Sequence, residues 1–275
     1  MTVPDPVSLP VPAVEAGGSP TSRYVGLTFQ NQLDNLLALL GQTSEERDLL
    51  NPHVVGMAPV SSVPISCQVF LVNLGSGQSA FFKPLAGIQL TRAAEYDQTP
   101  QDVLINECAA WLMARSLGSP FSNLVPTCVP ACISGNLGTL SAMREGVPHA
   151  RDPLGNRAQL MQSSFFDALT GQQDRHFDNF CWSERTRRLY LIDHGYAFAR
   201  PGDFFRASIF LVERHRLGIA ALTATESDLL RRILESDDLV NMMGVLPRDR
   251  EVALRARVEQ MLSIGELPLP VSGRW

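Results

Sequence analysis

The segment GQQDRHFDNFCW, at 171–182, is the stretch that most restricts how this chain folds. It sets two Asp, one Arg, one His and one Asn among Phe177, Phe180 and Trp182, which favour burial. A surface loop would be polar throughout, and a half-buried strand would alternate polar and apolar residues. The segment does neither. We therefore expect its polar groups to be held on a buried frame, which is typical of a functional site.

Composition excludes several classes of protein. The 275 residues are 45% hydrophobic and 19% charged, which suits a soluble chain with one large domain or two lobes. The net charge of −5 argues against a nucleic-acid binder. No apolar run approaches the ~20 residues of a membrane span, and the N-terminus lacks the basic and apolar regions of a secretion signal. The five cysteines show no CxxC spacing, so we expect reduced thiols and a cytoplasmic protein.

The chain contains a single lysine, Lys83, so arginine supplies the other 22 of its 23 basic residues. Lysine differs from arginine in carrying a compact point charge on a slim stem. This bias therefore indicates that Lys83 lies where arginine cannot serve, although compositional drift explains it equally well. The bias also hints at a GC-rich bacterial genome.

Four stretches follow one another along the chain. Residues 1–23 are rich in Pro, Val, Ser and Gly without a period, which is typical of a flexible leader. We expect a helical extension over 24–47, where TFQNQLDNLLALLG is amphipathic and TSEERDLL opens with a capping-box pattern. Strand patterns dominate 48–147 and helix patterns dominate 148–275, with the connector VPHARDPLGNR between them. This order predicts a two-lobed α+β fold with a β-rich N-lobe and a helical C-lobe.

Two hairpins are predicted. The first joins CQVFLVNL to SAFFKPL through the turn GSGQ and places Lys83 on its second strand. The second joins NFCW to LYLID directly after the DRHFDN loop. Two further strands are expected at VPTCVPACISG and LGTLSAMREG, and the helices of the second half at AQLMQSSFFDALTG, ESDLLRRILES, DDLVNMMG and PRDREVALRARVEQMLS.

The clearest helix is TPQDVLINECAAWLMARSLG, which Thr99 can cap and Gly118 can end. Glu107 lies in its middle and shares a face with Val103 and Trp111. A carboxylate on an apolar face needs a cation or hydrogen-bond donors. Glu107 is therefore either paired inside the fold or placed at the edge of that face, where it reaches water.

Four features need a common explanation: Lys83, Glu107, the DRHFDN loop and the segment LIDHGYAF. Singly, each has a structural reading, because Asp and Asn form turns and a strand lysine usually points to solvent. Together they fit phosphoryl transfer, which needs charge neutralisation and positioning more than covalent catalysis. Lysine can contact phosphates, hard oxygen ligands can hold Mg²⁺, and an Asp or His can orient the attacking hydroxyl.

This order of residues resembles the protein-kinase-like superfold. The segment D-R-H-x-x-N followed by I-D-x-G is similar to the catalytic domain of phosphatidylinositol 3-/4-kinases, and the IDH…AF ending is similar to compact bacterial HipA-like kinases. The resemblance covers about residues 50–205. It implies that Asp174 is the catalytic Asp, that His176 shares the role of base, and that Arg175 supports the loop. It also implies that Asn179 and Asp193 are the Mg²⁺ ligands.

The same resemblance implies an ATP site in the N-lobe. Lys83 would contact the α- and β-phosphates, and Glu107 would pair with it. The loop PVSSVPIS, with Ser61 and Ser62, would cover the phosphates. The connector at Glu145 would bind adenine through its backbone.

The chain departs from the family patterns in two places. The phosphate loop lacks G-x-G-x-x-G, so a eukaryotic protein-kinase assignment fails, and His194 stands where a lipid kinase usually has Phe. We expect an ATP- and Mg²⁺-dependent kinase that phosphorylates a hydroxyl, with protein Ser/Thr favoured as the acceptor. A lipid or small-molecule acceptor stays open, as do a nucleotide-binding pseudokinase and an AMP transferase.

Two enzymes of other classes are weaker alternatives. A zinc or iron enzyme could use His176, Asp178, Asp193 and His194 as ligands, but it would leave the lysine and the helix glutamate unexplained. A cysteine nucleophile at Cys181 has no setting that stabilises a thiolate.

Overall fold

A five-stranded antiparallel sheet organises the first half of the chain. The computed structural model describes residues 28–60, 67–146, 154, 156–200, 208–236 and 244–268. The strands are β1 (Val54–Pro59), β2 (Phe70–Leu74), β3 (Ser79–Pro84), β4 (Cys128–Ile133) and β5 (Asn136–Ala142). Their order in the sheet is β1-β2-β3-β5-β4.

The predicted GSGQ hairpin is confirmed by the pairing of β2 with β3, in which Phe70 lies opposite Phe82. Lys83 lies on β3 in the middle of the sheet, and its partner on β5 is Thr139. The chain's single lysine therefore lies on a central strand, whose position is fixed by hydrogen bonds to a neighbouring strand on each side.

The long helix is present as predicted. It is α4 (Pro100–Leu117), after the short helix α3 (Leu90–Ala94). Thr99 caps α4 in a reciprocal capping box with Asp102, and Gly118 ends it. Its inner residues pack under the sheet in the main core.

Two helices precede the sheet and brace this arrangement. They are α1 (Phe29–Leu39), which packs on α4, and α2 (Ser44–Leu50), which packs on β4 and β5. The predicted capping box of α2 is confirmed, with Thr43 and Glu46 as its two members. The carboxylate of Glu46 is buried and also accepts from Trp111 Nε1 at 2.8 Å. The predicted leader at 1–23 lies outside the described residues.

The second half is mostly helical. Its elements are α5 (Arg157–Thr170), the hairpin of β6 (Phe180–Ser183) and β7 (Arg188–Leu191), α6 (Ile209–Arg216), α7 (Ala224–Glu235) and α8 (Arg248–Ile264). The second hairpin and three of the four helix predictions are confirmed. The fourth, DDLVNMMG, falls almost wholly outside the described residues.

Helices α3 and α6 were not expected from the sequence. Helix α3 has five residues and no side-chain cap, and α6 contains the buried Arg214, which breaks the amphipathic pattern. Neither helix was predicted, because the sequence signal of a helix weakens with short length and with buried charge.

The predicted α+β class is confirmed, with a β-rich first half and a helical second half sharing one continuous core. The limits 48–147 and 148–275 stay predictions, since 147–153 lie outside the described residues. Within the described part of the chain, no helix is both long and apolar enough to cross a bilayer.

Candidate active site

Lys83 joins two carboxylates that are far apart in sequence. Its Nζ lies 2.5 Å from Oε1 of Glu107 on α4 and 2.9 Å from Oδ1 of Asp193, which follows β7. The side chains of Lys83 and Glu107 are largely buried, whereas that of Asp193 is one-third exposed. Strand, helix and hairpin therefore meet at one ammonium group.

Burial and charge act against each other in this cluster. Burial disfavours charge on Lys83, but Asp193 and Glu107 outweigh it and raise the lysine pKa well above its ordinary value. Burial likewise opposes ionisation of Asp193, and the Lys83 charge overcomes it and lowers the pKa of that carboxyl. The ammonium and the Asp193 carboxylate are therefore both charged at neutral pH.

Helix α4 is fixed to the segment after β7. The backbone N–H of His194 donates to Oε2 of Glu107 at 2.9 Å, and Asn106 Nδ2 donates to the Gly195 carbonyl at 2.9 Å. A Cβ on Gly195 would lie 2.5 Å from Cγ1 of Val103, so only glycine permits this approach. Glu107 is therefore paired inside the fold, and the alternative that it reaches water at the helix edge is wrong.

The DRHFDN loop rests on a buried ion pair. The loop follows α5, which ends at Gly171 with the left-handed φ of 59°. Arg175 is 1% exposed, and its Nε and Nη2 lie 3.2 Å from the carboxylate of Asp167, itself fully buried on α5. Ser208 Oγ donates to the same carboxylate at 2.6 Å. This is the buried frame that the composition of the segment predicts.

Arg175 also ties the loop to the strand that delivers Asp193. Its Nη1 donates to the carbonyls of Asn179 and Ile192, and its Nη2 lies 3.2 Å from Nδ1 of His194. The Ile192 N–H donates to the Asn179 carbonyl at 3.1 Å. One guanidinium thus holds together the two segments that carry the predicted metal ligands.

His194 is buried and uncharged. Burial, with the neighbouring Arg175 charge, holds its pKa well below the ordinary value. Its Nε2 lies 3.2 Å from the Leu191 carbonyl, and its ring meets Phe166 edge-on. Both ring nitrogens are therefore engaged by the protein, so His194 is not placed as a zinc or iron ligand. Among the described residues, no group of three His, Cys, Asp or Glu side chains could hold a metal.

Asp174 lies at the opening of the loop with its carboxylate engaged. Tyr96 Oη donates to Oδ1 at 2.7 Å, and Arg92 Nη2 lies 3.3 Å from the same oxygen. His176 Nε2 lies 3.8 Å from Oδ2, close to Asp174 but beyond a normal hydrogen bond. Sequence reasoning did not single out Arg92 or Tyr96, because the segment before α4 carries no motif.

Asn179 is placed by its own amide. Its Nδ2 donates to the Asp174 carbonyl at 2.6 Å, which turns the side-chain oxygen away from that carbonyl. An amide oxygen and a carboxylate oxygen are ligands that Mg²⁺ prefers. The cluster of Lys83, Glu107 and Asp193 has two carboxyl groups for one ammonium. Burial raises the pKa of Glu107, whereas the Lys83 charge outweighs burial and lowers that of Asp193, so Asp193 is the carboxylate that can face a divalent cation. The residues present therefore fit the predicted metal.

Of the two other predicted parts of the nucleotide site, the structure describes the connector but not the two serines of the phosphate loop. Glu145 lies on the connector after β5, where its exposed carboxylate is 2.8 Å from Arg185 Nε. The connector packs on β6, since a Cβ on Gly146 would lie 2.9 Å from Cβ of Cys181. Ser61 and Ser62 lie outside the described residues, so the phosphate-loop prediction is not addressed.

Solved structures of known proteins resemble this fold. A Golgi casein kinase aligns with a TM-score of 0.54 and 13% identity, over 82% of this chain and 78% of that kinase. The Golgi casein kinase with manganese and ADP gives 0.53 and 14%, over 83% and 74%. Hydra Fam20 with sugar gives 0.53 and 14%, over 86% and 94%. No protein-family model and no curated protein matches the sequence.

The predicted protein-kinase-like fold is therefore confirmed. At 13–14% identity the likeness establishes architecture alone. The roles of the individual site residues stay predictions, which rest on the geometry described above.

Proposed function

We propose that this protein is an ATP- and Mg²⁺-dependent kinase that transfers the γ-phosphoryl group to a hydroxyl. The observation that carries the proposal is the cluster of Lys83, Glu107 and Asp193, with the loop of Asp174 and Asn179 hydrogen-bonded beside it. Phosphoryl transfer needs a held cation, hard metal ligands and a positioned carboxylate, and the ammonium, amide and carboxylate groups near one another here support that assignment.

Each residue has a separate task in this proposal. Glu107 and Asp193 occupy two of the three N–H groups of Lys83, and a phosphate oxygen can take the third. Asn179 and Asp193 would hold Mg²⁺, which when bound neutralises phosphate charge. Asp174 orients the acceptor hydroxyl and accepts its proton. Arg175 acts only through the loop, because its guanidinium is buried.

The similar solved structures support the proposal through their architecture. One of them, the Golgi casein kinase, contains manganese and ADP. We propose the corresponding ligands, a nucleotide and a divalent cation, for this chain. We favour a protein Ser/Thr acceptor over a lipid, since the chain is acidic and the sequence shows no basic membrane-binding face.

The test is transfer of label from γ-³²P-ATP with Mg²⁺ to a cell extract, using wild type, Asp174→Ala and Asp193→Ala. Asp228→Asn is the matched control, because it removes a carboxylate from an exposed pair with Arg231. We expect label with wild type and the control, and its loss in both site variants.

The form of the labelled product decides the finer questions. Label on protein bands supports the favoured acceptor, whereas label in the lipid fraction replaces it with a lipid. Label from α-³²P-ATP in place of the γ-label would show AMP transfer. Nucleotide binding without any transfer would show a pseudokinase, and absence of ATP binding would overturn the whole proposal.

A further inference from the structure

The hydroxyl of Tyr96 lies where the proposed reaction requires an acceptor hydroxyl. Its Oη is 2.7 Å from Oδ1 of Asp174. A general base must lie within about 2.6–3.2 Å of the group whose proton it takes. Tyr96 belongs to the segment between β3, which carries Lys83, and α4, which carries Glu107. The chain therefore presents one of its own hydroxyl groups to its own predicted catalytic Asp.

The Tyr96 ring is held in place. It stacks on the ring of Tyr196 with centroids 4.2 Å apart, and it is 4% exposed. Ile88, Ala93 and Val103 complete a small core around the two rings. A hydroxyl that is fixed in this way needs no diffusional encounter, so its effective concentration at Asp174 is far above that of any free acceptor.

The stacked pair lies between the two halves of the site. Burial raises the pKa of Tyr196 to about 12, and the charges of Asp193, Arg92, Lys83 and Asp174 also act on it. Tyr196 therefore lies within electrostatic reach of both the Lys83 cluster and Asp174. Tyr96 stacks on Tyr196 and also contacts Asp174, so the pair links the loop to the segment that follows Asp193.

The Arg92 guanidinium lies over the Tyr96 ring, and its Nη1 donates to Glu95 Oε2 at 2.6 Å. The guanidinium of Arg92 lies 4.9 Å from the centre of the Tyr96 ring and 3.3 Å from Asp174 Oδ1. Guanidinium groups bind phosphate with two parallel hydrogen bonds. Arg92 is thus positioned to pair with a phosphate on Tyr96.

We propose that Tyr96 is a self-phosphorylation site, modified within the same molecule. In this step, which rests on the proposed kinase function, Tyr96 Oη forms a bond to the γ-phosphorus of ATP. The bond from that phosphorus to the β–γ bridging oxygen breaks, ADP leaves with the electron pair, and Asp174 takes the hydroxyl proton.

The test is mass spectrometry of the full-length protein after incubation with ATP and Mg²⁺. We expect one phosphoryl group on the peptide that contains Tyr96, formed at a first-order rate that does not change over about a tenfold dilution of protein. Tyr96→Phe should lose this modification and keep its fold by circular dichroism. Tyr190→Phe is the matched control, since Tyr190 lies on the β6–β7 hairpin, and it should keep the modification.

Other results separate the two proposals. Transfer to extract proteins with unmodified Tyr96 would overturn this inference and leave the kinase proposal standing. The same holds if Tyr96→Phe only speeds transfer to other acceptors, because Tyr96 would then block the site without being a substrate. A rate that rises with protein concentration would overturn modification within one molecule. No transfer to any acceptor would defeat the kinase proposal itself.

Discussion

Two buried charge clusters lie side by side in this molecule, and they differ in balance and exposure. The frame cluster consists of Arg175 and Asp167, whose side chains are both fully buried, with one positive and one negative charge. The site cluster consists of Lys83, Glu107 and Asp193, with two carboxyl groups for one ammonium, and the Asp193 carboxylate is one-third exposed.

The difference distinguishes residues that hold the loop in place from residues that we propose act on the substrate. The frame cluster pairs one cation with one carboxylate. Arg175 also donates to two backbone carbonyls, and the Ser208 hydroxyl donates to Asp167. The site cluster keeps one more carboxyl group than cations, and its Asp193 carboxylate lies next to solvent, where a metal ion could reach it. Four substitutions test this distinction, ranked by their expected effect on the free energy of unfolding.

Replacing Arg175 with Met should have the largest effect. It leaves the Asp167 carboxylate buried without its cation, which costs about 3–5 kcal/mol. Urea denaturation measures the loss. Adding Asp167→Asn should recover part of it, because the uncompensated charge is removed. If Arg175→Met alone cost less than about 1 kcal/mol, the frame would not support the loop.

His194→Gln should change how stability depends on pH. The pKa of His194 is depressed in the folded state, so only the unfolded chain takes up a proton as pH falls below the ordinary value of 6.5. Wild type should therefore lose up to about 1.4 kcal/mol per pH unit from this residue below pH 6.5, and the stability is regained above it.

The measurement is urea denaturation of both proteins at several pH values between neutral and mildly acidic. We expect the His194→Gln curve to be flatter, since groups common to both proteins cancel. Parallel curves would mean that His194 takes up a proton as readily in the folded protein as in the unfolded chain.

Asp193→Asn should separate activity from stability. It removes one of two competing carboxylates, and Asn tolerates the φ of 57° found at this position. We expect the free energy of unfolding to stay within about 1 kcal/mol of wild type. Transfer of the γ-phosphoryl group should fall by at least about 100-fold. A large stability loss with retained transfer would assign Asp193 to the frame instead.

Arg185→Met should have the smallest effect. Its ion pair with Glu145 is exposed on both sides, and exposed pairs contribute little. We expect unchanged urea denaturation and an unchanged KM for ATP, because the proposed adenine contact uses the connector backbone. A raised KM would show that the Glu145 side chain, oriented by Arg185, contacts the nucleotide.

Much of the fold could be predicted from sequence, because local signals and tertiary packing agree in the main elements. Thr99 and Gly118 bound α4 as their capping chemistry requires, and the GSGQ turn gives the β2–β3 hairpin. The protein-kinase-like fold followed from the D-R-H-x-x-N and I-D-x-G segments in their order.

The partners of the loop were harder to predict, because they come from distant segments without motifs. Arg92 and Tyr96 contact Asp174 across about 80 residues of sequence, a pairing that only the tertiary fold creates. Asp167 left a signal that could have been used. It is a lone carboxylate between apolar neighbours on a helix, the same pattern that singled out Glu107.

The single lysine gives this protein a practical property. Amine-acylating reagents can modify only the N-terminal amine and Lys83, and the lysine side chain is 16% exposed between its two carboxylates. The extent of acylation at one peptide therefore reports on one location in the fold. Because Asp193 and Glu107 keep this amine protonated, it should react slowly in the folded protein, and faster acylation of that peptide would report loss of the cluster without any engineered label.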